Sequence, residues 1–127
     1  MKVASGMVTT GSLPGSVQVK ANGAPMKNVF VHHVFFWLKK PNNQKTRSQF
    51  EKGLLGLITV PLIKTCHIGT PVESSREVVD DSFTYSFIAF FRNQKDQDNY
   101  QTHPIHLQFI EDCQHLWKKV IVYDAMD

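Results

Sequence analysis

The stretch Val29-Phe-Val-His-His-Val-Phe-Phe-Trp-Leu38 decides the fold. It is β-branched and aromatic throughout, which marks a strand. Alternate residues of a strand share a face. Val29, Val31, His33, Phe35 and Trp37 therefore lie on one side, and Phe30, His32, Val34, Phe36 and Leu38 on the other. Both faces are apolar, and both need covering. Helices of the same chain can cover one face of a small sheet. The other is left to water unless something else packs on it, and a second copy of the chain is the simplest occupant.

Downstream, Lys39-Lys-Pro-Asn-Asn43 supplies turn chemistry. Thr46 to about Val60 is predicted as a helix, because Phe50, Leu54, Leu57 and Ile58 make one apolar stripe. Gly53 and Gly56 each weaken a helix by about 1 kcal/mol relative to Ala, so they suggest close approach to another element. Pro61 closes the helix, and Leu62 to Gly69 reads as a short strand. Thr70 to Asp81 is a polar connection. Phe83 to Phe91 alternates as a strand, with Phe83, Tyr85, Phe87, Ala89 and Phe91 on one face. Asn93 to Thr102 is helix-compatible until His103-Pro104 breaks it, and proline suits the first turn of a new helix. That second helix carries Ile105, Phe109, Cys113 and Leu116 as its stripe, widened by Ile110, Trp117 and Val120. Val120 to Tyr123 is a final strand, with Asp124 to Asp127 trailing off it.

The order βαββαβ predicts an α+β, ferredoxin-like domain: an antiparallel sheet with helices on one face. Residues 1–25 differ in texture, being rich in Gly, Ser, Thr and Val with little aromatic content. They read as a flexible leader or extension, with the domain spanning residues 26–127.

Composition sets limits. Nine Phe, three Tyr and two Trp in 127 residues favour a real core. A net charge of +3, with Lys39-Lys40 and Lys118-Lys119 the only basic pairs, is a solvated surface and not a nucleic-acid footprint. Cys66 and Cys113 lack CxxC or zinc spacing and read as thiols in a reducing compartment, one disulfide remaining open. No apolar run approaches the ~20 residues of a membrane span, and no apolar segment follows Lys2 as in a signal peptide. A cytoplasmic location is the expectation. Nucleophile elbow, phosphate-binding glycine loop and HExxH are all missing from the sequence.

The densest polar cluster is Tyr100-Gln-Thr-His103-Pro104-Ile-His106. Imidazole exchanges protons near neutral pH, and a phenol can donate to a developing oxyanion. Tyr100 and His106 are the candidate catalytic pair, with His103 beside them. The alternative is a structural junction in which His103 caps a helix and His106 bonds to a backbone carbonyl. His33 is a second candidate for substrate contact. Tyr85 and His67 join it if their faces agree, as do Phe35 and Trp37 on its own face. His32 points the opposite way and belongs to the helix-facing layer. No metal is expected, since no third ligand stands near His103 and His106.

These residues resemble the stress-responsive dimeric α+β barrel (Dabb) family. Three stretches carry the resemblance: His33 to Lys39, Phe83 to Phe91, and Tyr100-xx-His103-Pro104-x-His106-xx-Phe109 followed by Val122-Tyr-Asp124. It covers about Lys27 to Ala125. The resemblance implies a homodimer whose two sheets face each other and close a barrel-like interior, and a His/Tyr-lined pocket is expected in it. Related dimeric barrels also carry out heme chemistry, but no residue here recommends itself as an axial ligand, and no cofactor is expected. Related olivetolic acid cyclase-like proteins close a linear polyketide by aldol chemistry. By that resemblance His106 is the catalytic His, Tyr100 its partner and His33 the first-strand His. Tyr85 stands where that enzyme has a pocket His, and Gly53 where it has a pocket Tyr, so a different substrate is implied. Two functions are expected from this: a cofactor-independent cyclase, lyase or isomerase of a small carbonyl compound, or a non-catalytic stress-associated binding or structural protein.

Overall fold

The computed structural model describes residues 22–127. Most of the stretch read as a leader lies outside those residues. Strand β1 spans Phe30–Leu38 and is followed by α1 (Gln44–Leu57), β2 (Thr65–Gly69), β3 (Tyr85–Phe91), α2 (Gln94–Gln101), α3 (Pro104–Cys113) and β4 (Trp117–Met126), with a single 3-10 turn at Gln114–Leu116 before β4. The strands form one sheet in the order β2-β3-β1-β4, with every neighbouring pair antiparallel. This is the expected α+β, ferredoxin-like arrangement.

The alternation read from β1 is the organising feature. Phe30, His32, Val34, Phe36 and Leu38 are buried, while Val31, His33, Phe35 and Trp37 are half-buried. The buried row faces the helices. There Phe36 packs on Phe50 of α1 and Phe109 of α3, with ring centroids 4.9 and 6.2 Å apart. The half-buried row faces away from the helices, on what is called the open face below. Complete burial of side chains such as Phe50 and Leu54 stabilises the fold by about 1.5–3 kcal/mol each.

Helix starts follow side-chain chemistry. Asn43 accepts from the Thr46 backbone N–H at 2.8 Å and Asn93 from that of Asp96 at 2.8 Å. Each such cap is worth about 1 kcal/mol.

Three expectations need correction. Helix α3 ends at Cys113, so Leu116, Trp117 and Val120 are not part of its stripe. Trp117 and Val120 belong to β4, whose backbone is held by the ladder to β1. The segment 124–127 does not trail away: β4 runs to Met126, and the Asp127 carboxylate accepts from the Asn28 and Val29 backbone N–H groups at 2.6 and 3.0 Å. Those two bonds hold its carboxyl below the usual carboxylate range. Strand β3 starts at Tyr85, and the preceding Phe83 swings to the open face, its ring 5.0 Å from that of Phe35.

Gly53 is a close approach, as its place in the helix suggested. A Cβ there would sit 2.3 Å from Cys113 Sγ and 3.4 Å from Phe109. Gly56, three residues on, has nothing within 4 Å of its would-be Cβ. Opposite outcomes are expected for the same substitution. Gly53→Ala should destabilise the fold by about 1–3 kcal/mol through overpacking, and Cys113→Ala should rescue much of that loss. Gly56→Ala should stabilise by up to about 1 kcal/mol through helix propensity alone. Urea unfolding of the variants checks both signs.

Candidate functional site

Tyr100 lies at the end of α2 and His106 in the first turn of α3. On one continuous helix, residues six apart are separated by about 9 Å along the axis and point to different sides. The break at Thr102 and His103 removes that constraint. His103 takes an extended conformation, its Nδ1 accepts from the Ile105 backbone N–H at 3.1 Å, and Pro104 opens α3. The chain turns, and the Tyr100 and His106 rings meet with centroids 4.7 Å apart. His103 is thus the cap that makes this junction and not a lining residue of the cavity beside it.

Tyr100 is also 5.8 Å, ring to ring, from His32, so the phenol stands between two imidazoles. These three side chains line a cavity of about 180 Å³ between the helix-facing side of the sheet and α3, with Val34, Phe87, Phe109, Ile110, Trp117, Val120 and Val122 as its apolar wall. A larger groove of about 540 Å³ runs between α1 and α3, but its lining holds no imidazole or phenol.

The electrostatics follow from burial. Removal from water pushes the Tyr100 hydroxyl well above the usual phenol range, so it stays a donor at neutral pH. Burial also lowers the His106 pKa, and the neighbouring His32 lowers it further, while the Gln101 backbone carbonyl pulls partly the other way. His106 Nδ1 is buried without a hydrogen-bond partner among the described residues. The Gln101 backbone carbonyl is the one polar group that acts on the ring as an acceptor, and a neutral ring that donates to it from Nε2 would carry its lone pair on Nδ1. Most buried polar atoms pair with protein or ordered water; Gln97 Nε2 is the other side-chain atom without a protein partner among the described residues. His32 is held differently: its Nδ1 lies 2.6 Å from Asp124 Oδ1. A carboxylate only accepts, so Nδ1 carries the proton and, in the neutral ring, Nε2 bears the lone pair.

The remaining sequence candidates are not brought here. His33 is on the open face, where its Nε2 pairs with Ser86 Oγ at 2.9 Å. Phe35 and Trp37 share that face by alternation, and His67 shares it through the register His67↔Ile88↔His33. Tyr85 faces the helices, but its hydroxyl donates to Glu51 and the Arg47 guanidinium sits 4.9 Å over its ring, at the other end of the sheet's helix side. A single pocket uniting Tyr100, His106 and His33 does not form, because adjacent positions on β1 point to opposite faces. The strand histidine beside Tyr100 is His32. Its helix-facing direction was legible; that the cavity lies on the helix side was not. Asp124 was missed because β4 was read as ending at Tyr123, three residues short of its end at Met126. Gly53 abuts Cys113, whose thiol burial pushes up to about 11 and which fills the space a larger residue would take.

Among the described residues no cluster of three His, Cys, Asp or Glu is placed to hold a metal, and no helix is long and apolar enough to cross a membrane. Two properties of the site can be read directly by nitrogen NMR of the imidazoles. His106 should titrate below 6.5, and it should therefore be neutral at pH 7. His32 should sit in the Nδ1–H tautomer, and Asp124→Asn should redistribute the two tautomers without unfolding the chain.

No curated protein matches the sequence significantly. Solved structures share the fold at low identity. A hydroxynitrile lyase from Passiflora edulis matches with a TM-score of 0.68 at 23% identity, over 80% of this chain and 95% of its own. A Dabb family protein with a ferredoxin-like fold from Mesorhizobium loti matches with 0.66 at 18%, over 78% and 96%. A dimeric ferredoxin-like protein of unknown function from Thermobifida fusca matches with 0.64 at 15%, over 80% and 92%. The sequence pattern of the stress responsive A/B barrel domain matches residues 30–127. That span holds all four strands and the Tyr100–His106 junction, and the chain belongs to the stress responsive A/B barrel domain family.

Proposed function

We propose that each protomer of a homodimer takes a small carbonyl or hydroxy compound into the cavity beside Tyr100 and performs cofactor-independent acid–base chemistry on it, of the lyase or isomerase kind. The observation that carries this reading is a depressed imidazole and a protonated phenol, His106 and Tyr100, in ring-to-ring contact and lining one small cavity. A lone pair and an O–H donor on one small cavity match what a carbonyl compound with an acidic proton needs. The neutral His106 imidazole takes the substrate proton, and the Tyr100 O–H donates to the substrate oxygen. The imidazolium then returns the proton to the carbon or leaving group. His32, oriented by Asp124, is a second acceptor on the same wall.

Size narrows the substrate. A cavity of about 180 Å³ holds the volume of about six liquid waters, below the ~300 Å³ at which pockets for drug-sized ligands begin. A small aldehyde, ketone or hydroxy compound suits it better than an extended polyketide. The fold tolerates such chemistry, since the Passiflora edulis structure of the same fold is a hydroxynitrile lyase. The homodimer rests on the apolar open face of the sheet and on the dimeric Thermobifida fusca protein of the same fold.

Amide NMR titration with small aldehydes, ketones and cyanohydrins tests the reading. Shift changes should cluster at His32, Tyr100 and His106, and changes confined to other surfaces would discard it. Where turnover is found, His106→Ala should lower kcat/KM by about 10²–10⁴ and Tyr100→Phe by about 10²–10³, with each variant's melting temperature close to that of the parent. The acid limb of the pH profile should fall below 6.5, because protonating His106 removes the base and its pKa is depressed. Loss of stability in place of loss of turnover would assign these residues to a structural role.

A further inference from the structure

Two imidazoles on the open face take no part in the Tyr100 cavity. His33 on β1 and His67 on β2 both stand opposite Ile88 of β3, one from each side. They lean the same way along the sheet. His33 Nε2 is bonded to Ser86 Oγ at 2.9 Å. The His67 ring lies over Gly69, so near that a Cβ there would meet its Cε1 at 2.9 Å. Ser86 and Gly69 are cross-strand partners. The two rings therefore lie over neighbouring positions of the sheet, and the missing side chain of Gly69 makes room for that of His67.

We propose that His33 and His67 form an acid-sensitive element in the interface between two copies of this chain, so that the homodimer is stable when both rings are neutral and opens when they are protonated. This rests on the homodimer proposed above. The surroundings support it. By alternation and register, the open-face positions beside the pair are Val31, Phe35, Ile88, Phe90 and Ile121. The titratable and charged groups near it are Tyr123, opposite His33 on β4; Lys119, whose Nζ sits 4.5 Å over the Trp37 ring; and His32 on the reverse face of β1. No strand position on the open face carries a carboxylate. Asp80, in the connection before β3, is bonded to Ser82 and acts on Lys119, which pairs with Trp37 at the far end of β1; beside the pair itself, a charge gained by either ring finds cations or apolar surface. Within one protomer, burial together with His32 and His67 already lowers the His33 pKa. Covering the face with a second sheet removes more water and lowers it further. A pKa lowered by association leaves the dimer unaffected above the free imidazole value and weakens it as pH falls below that value.

Sedimentation velocity of the full chain, run at pH 8 and pH 5.5, tests this alongside His33→Gln/His67→Gln. The parent should be dimeric at pH 8, with a dissociation constant at least tenfold higher at pH 5.5. The double variant should dimerise at pH 8 and lose most of that dependence. Circular dichroism at both pH values separates opening from unfolding. If the double variant fails to fold, His67→Gln alone, at an exposed side chain, should show a reduced dependence. A parent that is dimeric and insensitive to pH, or variants that open in acid as the parent does, overturn the proposal while leaving the homodimer intact. A parent that is monomeric at pH 8 overturns the homodimer itself.

Discussion

The structure depends on the alternation of β1. This strand is bonded along both edges, to β3 and to β4, so its register is held from two sides. Slipping it by one residue would exchange its faces. His32 would leave Tyr100 and Asp124, and Phe36 would leave the helices. The buried row Phe30, Val34, Phe36 and Leu38 therefore fixes more than packing. It decides which of two adjacent histidines enters the helix-side cavity and which joins the open face.

The helix side shows how a small core leaves room for a site. Over α1 the packing is close, with Phe50 and Leu54 fully buried and Gly53 against Cys113. Over β4 it loosens: Val120 and Val122 line the cavity and remain partly exposed. Phenol and imidazole are set into that looser end by the α2–α3 break. The cap at His103 costs helix continuity and brings together two side chains that an unbroken helix would hold apart. The resulting environment keeps Tyr100 protonated and His106 neutral near pH 7, a donor and an acceptor side by side.

The sheet gives its two histidine sets different physics. His32 answers to a carboxylate and a phenol in a partly dry cavity. His33 and His67 answer to Ser86, to each other and to whatever covers an apolar face. One strand thus serves two environments, one on each face.

Much was legible in the sequence by itself. The period-two pattern of residues 29–38 established a strand with two apolar faces, and the helix stripes and Pro104 gave the order βαββαβ, because local periodicity reports which side of an element is buried. The Tyr100 to His106 cluster stood out by composition, and Gly53 and Gly56 alike as close approaches by their cost in a helix, of which only Gly53 is one. Tertiary structure decided the rest. It placed the cavity on the helix side, which no local pattern states, and so drew in His32 and Asp124, residues 92 apart in sequence and 2.6 Å apart in space. It separated His33, His67, Phe35 and Trp37 from the pair they were expected to join. It also extended the final strand, read from sequence at 120–123, to residues 117–126, because pairing with β1 outweighed the helical spacing of Trp117. Which side chains meet depends on sheet order and helix placement, and those are settled by the packing of the whole chain.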